Sequence, residues 1–162
     1  MARPQQPFPD SLERFKKHIP KGRDVTMIVL KTHLIVEAEM NELLELTLPH
    51  PECIYRSRFS FIQRLRVLQA VSTDLDLHLT TKAIEALNEL RNGLAHQLDL
   101  PDVELLAAKF IHHSFYSAYD KQSRAASNKH IPKKDDYSLT GLKQASALLI
   151  GRIGYFKKLA TT

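Results

Sequence analysis

An all-α, up-and-down helical bundle is the fold class this sequence predicts, on three observations. Apolar residues recur every three to four positions over several long stretches. No stretch alternates with period two for long enough to make a strand. The composition is rich in Leu, Ala, Glu, Lys and Arg, with 5 Gly and no Trp in 162 residues, a mixture that favours helix over sheet. That length suits one domain with a sizeable core. A content of 43% hydrophobic and 25% charged residues is the balance of a soluble globular chain.

Prolines 4, 7 and 9 predict an extended arm, followed by a short helix over about 11–18 that Pro20 closes. Residues 1–23 thus form an N-terminal arm and short helix, and 24–162 a single bundle domain without an internal repeat. Asp24 is placed to cap the next helix. Residues 25–46 contain neither Pro nor Gly. Met27, Leu30, Leu34, Ala38 and Asn41 follow helical spacing there, with Val25, Val29, Val36, Met40 and Leu43 beside them. So wide a stripe belongs to a central bundle helix. Residues 48–52 are a break. Residues 59–71 then place Phe61, Leu65, Leu68 and Val71 at helical spacing. Arg56, Arg58, Arg64 and Arg66 around them are either a phosphate patch or a solvated face packing its methylene stems.

After a turn through Ser72, Thr73 and Asp74, Thr80 or Thr81 caps a helix over about 82–97, with Ala83, Leu87, Leu90 and Leu94 inward. Pro101 at a first helical position, with Asp102 and Glu104 in the first turn, opens another helix to about Tyr119. Residues 121–136 are polar, basic and aperiodic, which predicts a flexible loop. The last helix, about 138–159, turns Leu142, Ala145, Leu149, Ile153 and Phe156 inward. Gly141, Gly151 and Gly154 weaken it locally or permit close helix–helix approach.

Charge is unevenly placed. Residues 1–120 carry 14 Lys/Arg against 16 Asp/Glu, and residues 121–162 carry 9 against 2. Such asymmetry suits an anionic partner such as nucleic acid, or a solvated tail that keeps the chain soluble. A single cysteine, Cys53, excludes an intramolecular disulfide. It sits by a proline turn and reads as structural. With no apolar signal segment at the start, the expected location is cytoplasmic. No apolar run approaches the roughly 18 residues a membrane span needs, and the nearest, 145–156, is interrupted by Arg152. No membrane partner is expected.

The informative motif is Arg91-Asn92-Gly93-Leu94-Ala95-His96. Arginine stays charged at physiological pH and forks onto phosphate oxygens. Histidine titrates in the physiological range and can pass a proton. Together they are the minimum equipment for cutting RNA without a metal. The competing reading ties Arg91 to a core carboxylate and leaves His96 as a helix cap. At about 100° per residue, Arg91 and His96 point about 140° apart. Asn92 and His96 share a face, extended one turn back by Asn88 and Glu89. On one reading a single subunit does not complete the site, and two copies packed at these helix ends would place one Arg/His set opposite the other. Gly93 costs about 1 kcal/mol against Ala in a helix interior. Close approach at such an interface, or fraying near a helix end, accounts for it.

Arg91-Asn92 followed by Ala95-His96 resembles the signature of the HEPN superfamily. The helix over 34–44, with its acidic residues, is similar to that family's second helix, and 59–71 to the helix preceding its motif. The resemblance covers about residues 24–98. It implies a bundle of four or five helices, usually a homodimer, that in active members is a metal-independent endoribonuclease, often a toxin or antiviral effector with a cognate antitoxin. By that resemblance Arg91 holds the scissile phosphate, His96 is general acid or base, and Asn92 orients phosphate or imidazole. Glu37, or else Glu39, orients Arg91, and Asn88 supports the site. No metal or other cofactor is implied. The chain also resembles the mannitol-repressor-like branch, which implies instead a non-catalytic regulator that binds a partner.

Other groups carry less. His33, Glu37 and Asn41 lie four apart and offer two metal ligands or a polar ridge, without the HExxH pattern that would support a metal. His112 and His113 are adjacent and diverge on a helix. His112, Tyr116 and Asp120 align. There is no Gly-rich phosphate loop and no Gly-x-Ser-x-Gly signature.

Overall fold

The computed structural model describes residues 10–96, 102–119 and 121–162. Among the described residues there are eight α-helices packed as a bundle, and no strand. The helix starts are set by side-chain caps that satisfy first-turn N–H groups. Asp10 caps α1 (Ser11–His18) by accepting from the Leu12 and Glu13 amides at 3.0 and 3.1 Å. Asp24 caps α2 (Val25–Thr47) through the Met27 amide at 3.0 Å. A one-turn helix α3 (Glu52–Arg56) leads to α4 (Phe61–Val71), where Ser60 and Gln63 form a reciprocal capping box. Asp74 holds the first turn of α5 (Leu75–His96), accepting from the Asp76 and Leu77 amides at 2.6 and 3.1 Å. Helices α6 (Val103–Ala118) and α7 (Lys121–Ser127) follow, then a 3-10 turn (Lys134–Asp136). Ser138 caps α8 (Leu139–Ala160).

The core lies among α2, α5, α6 and α8, with α5 against α6, α2 against α8, α6 against α8 and α2 against α5. Ile28, Met40, Leu43, Ile84, Leu87, Leu90, Phe110, Leu142 and Leu149 are fully buried there. Helix α4 covers α2 and α5 and contributes Leu65 and Leu68, while α1 lies across α8 and α2. Helix α1 comes so near α8 that a Cβ on Gly154 would stand 2.5 Å from Ser11 Oγ, so this glycine serves close approach. No helix among the described residues is long and apolar enough to cross a membrane.

The structure departs from the sequence expectations at several places. Helix α5 starts at Leu75, not near Lys82, because Asp74 is the capping residue. Thr80 and Thr81 are buried inside the helix, their hydroxyls bonding back to the Asp76 and His78 carbonyls. In α2 the inward stripe is rotated: Ile28, Val29, Val36, Met40 and Leu43 are buried, while Met27 and Leu34 are 42% and 58% exposed. The stretch 121–136 is not one loop, since it contains α7 and the 3-10 turn. Arg124 fastens α7, donating to the Tyr116 and Ser117 carbonyls and pairing with Asp76 at 2.6 Å. The break after residue 48 is short, because α3 begins at Glu52. The arm over 1–9, Gln97, Pro101 and Asp120 lie outside the described residues.

Candidate functional site

The inward stripe of α5, through Leu77, Ile84, Leu87 and Leu90, decides where its polar residues fall. Asn88, Arg91 and Asn92 are half-buried, while Glu89 and His96 are exposed. Arg91 Nη1 donates to Asn92 Oδ1 at 3.0 Å. No carboxylate among the described residues forms an ion pair with Arg91. His96, the last described residue of α5, lies about one and a half turns further on and is exposed.

Helix α2 supplies a group that sequence reasoning had placed elsewhere. His33 is buried under Phe61 of α4, with ring centroids 4.2 Å apart, and its Nε2 lies 3.2 Å from Asn88 Oδ1. Burial pushes the imidazole pKa below its ordinary 6.5; the Asn88 hydrogen bond opposes this, and the Arg91 charge adds to it. Amide oxygen only accepts, so Nε2 carries the proton. Asn88, Asn92 and His96 lie four residues apart and form one polar strip along α5, with His33 and Arg91 bonded to its first two members.

The acidic residues expected beside Arg91 serve other cations. Glu37 pairs with Arg64 of α4 at 3.3 Å, and Arg64 also donates to Asn41 Oδ1 at 3.1 Å. Glu39 is fully buried and bonds Ser11, Arg14 and Lys157 at 2.5, 2.7 and 2.5 Å. His33 thus faces Asn88 while Glu37 and Asn41 share Arg64, and among the described residues no group of three His, Cys, Asp or Glu is arranged to hold a metal. The arginines near α4 divide likewise. Arg64 and Arg66 are paired, the latter with Glu85 at 2.6 Å, whereas Arg56 and Arg58 are exposed.

Elsewhere, His112 stacks on Tyr116 at 5.8 Å and meets His130, which bonds Asp136 at 2.9 Å. Burial lowers the pKa of both His112 and His113. Cys53 is exposed. Two clefts of about 480 and 490 Å³ flank α1 and α8, one over Ser11 and Gly154 and the other over Ile19 and Lys143; Arg91 and His96 line neither. No protein-family model, curated protein or solved structure matches this chain.

Proposed function

We propose that this chain is a metal-independent endoribonuclease of HEPN type. One observation carries the reading. A half-buried guanidinium, engaged by a neutral amide oxygen and by no carboxylate among the described residues, stands on the same helix as an exposed histidine five residues on. An arginine kept for structure is normally neutralised by an acid, as Arg14, Arg64 and Arg124 are here. Arg91 keeps its donors for an anion of matching geometry, and a phosphodiester is one. In the proposed reaction Arg91 holds the scissile phosphate and stabilises its developing charge. His96 takes the proton of the adjacent 2′-OH, O2′ attacks phosphorus, and the 5′-oxygen leaves as a 2′,3′-cyclic phosphate forms. A homodimer supplies the proton for the leaving oxygen, through a second His96. Met27 and Leu34, exposed on α2, are apolar surface that such a dimer could bury.

The test is RNA cleavage in EDTA. Wild type is expected to cut, with Arg91→Ala and His96→Ala each slower by about 100-fold or more. Cleavage unchanged in both variants overturns the assignment. One observation favours a second reading, a non-catalytic regulator that binds a partner: both clefts lie at α1 and α8, away from Arg91. No cleavage by folded wild type decides for it.

A further inference from the structure

We infer that His33 is a positioning residue of the Arg91 site: by holding the Asn88 oxygen inward it turns the polar strip of α5 into a row of hydrogen-bond donors that fits the phosphate backbone of single-stranded RNA. The inference rests on the ribonuclease reading for its ligand and adds a residue that the Arg–His motif does not contain.

A carboxamide has one accepting end and one donating end, and it recognises an anion only when the donating end faces out. Two asparagines, Asn88 and Asn92, share the strip with His96. Left to rotate, each would present its oxygen to a phosphate as readily as its NH2. Both rotations are taken up. Arg91 has no acceptor, so its 3.0 Å contact with Asn92 occupies Oδ1. His33 Nε2, 3.2 Å from Asn88 Oδ1, occupies the other. Among the described residues neither Nδ2 group has a protein partner. The donors left along this edge are therefore two amide NH2 groups and the remaining guanidinium N–H groups, with the His96 ring at its end.

The His33 ring is itself held fast. Phe61 packs on it at 4.2 Å, and its buried position leaves Asn88 as its hydrogen-bonding partner among the described residues. A histidine kept only for packing would be replaceable by another aromatic ring. A histidine kept to orient an amide is replaceable only by a side chain that also donates.

The experiment separates those two demands. Affinity for a 2′-O-methyl oligoribonucleotide, which binds but has no 2′-OH to attack, is measured for wild type, His33→Phe, His33→Gln and Asn88→Asp, with thermal melts alongside. Phe keeps the packing on Phe61 and lacks the donor, so affinity falls about 5- to 10-fold, the worth of one ordered hydrogen bond to a phosphate. Gln restores the donor and holds affinity within about twofold of wild type. Asn88→Asp puts a carboxylate in the strip and weakens binding more than Phe does. An imidazole 15N spectrum of wild type places the proton on Nε2. The proposal is overturned if His33→Phe binds like wild type, if a folded His33→Gln binds as weakly as His33→Phe, or if the proton is on Nδ1. Wild type that binds with this His33 dependence yet leaves unmodified RNA intact sinks the nuclease reading and keeps the inference. Cleavage by wild type with no His33 dependence does the reverse, and a wild type that does not bind the oligonucleotide overturns both.

Discussion

Lys157→Met tests what fastens α1 to the bundle. Lys157 of α8 is 7% exposed at its side chain, and its ammonium meets Glu39 at 2.5 Å and Glu42 at 2.6 Å. Arg14 of α1 bonds the same two carboxylates at 2.7 and 2.6 Å, closing a ring of two cations and two anions around the α1–α2–α8 junction. Met preserves the packing of the lysine stem and deletes the charge. The ring is then left with net charge −1 around a fully buried Glu39. Removing one partner of a buried ion pair costs about 3–5 kcal/mol. Arg14 and Ser11 still bond Glu39, which puts this case near 3 kcal/mol, or about 6–12 °C in Tm for a domain of this size. The assay is thermal unfolding followed by circular dichroism at about 0.05 M and about 0.5 M NaCl; because the ring is buried, salt screens it little and the deficit persists. Glu39→Gln combined with Lys157→Met removes one charge of each sign and recovers part of the loss. A Lys157→Met protein melting within about 2 °C of wild type, or a deficit that vanishes at high salt, refutes the claim that this ring holds α1 in place.

Gly154→Ala drives a methyl against Ser11, 2.5 Å from its Oγ and 2.8 Å from its Cβ, so it destabilises by about 1–3 kcal/mol despite better helix propensity, as a lower urea midpoint will show. Arg58 has a φ of 50°, left-handed backbone just past α3, and Arg58→Gly is expected to raise stability by about 0.5–1 kcal/mol in the same assay. His33, His112 and His113 all have pKa values depressed in the fold, chiefly by burial. For such groups stability is complete above the unfolded pKa of about 6.5 and is lost as pH falls through the lower folded values. Tm should therefore fall as pH is lowered from about 7, and fall less steeply in His33→Phe.

The parts of this fold that could be read from sequence are those whose signal is local. Asp24 caps its helix where its place before an apolar run put it, and Leu65, Leu68, Leu142 and Leu149 are buried as their spacing implied. Helix α2 shows the limit of that signal. It is apolar over so much of its circumference that periodicity identifies the helix but not the inward face, and the buried set lies one residue off the stripe through Met27 and Leu34. The start of α5 was obscured because Asp74, Thr80 and Thr81 are all capping residue types, and only packing decides that the threonines are interior. Helix α7 has no apolar period; it is held through Arg124, whose Asp76 partner lies 48 positions away in the chain. The candidate site divides the same way: Arg91, Asn92 and His96 are a motif within six residues, whereas His33 meets Asn88 across 55 positions and no sequence pattern joins them.

Charge makes the argument sharpest. By sequence the last 42 residues hold nine Lys/Arg against two acids, which suggests a basic surface for nucleic acid. The fold assigns several of those cations to acids from the first two thirds of the chain. Lys157 goes to Glu39 and Glu42, Arg124 and Arg152 to Asp76, and Lys134 to Asp102, while Lys143 caps the Lys21 and Gly22 carbonyls. What reads as a basic tail is in large part the other half of internal ion pairs joining α7, the 3-10 turn and α8 to the rest of the bundle. Any phosphate affinity must then rest on cations without an acidic partner, and among the described residues Arg91 is one, set beside two amides whose oxygens are already engaged. On a single strand each lost phosphate contact lowers the salt slope of binding by about 0.7. Arg91→Ala should remove about one such contact, and Lys157→Met none.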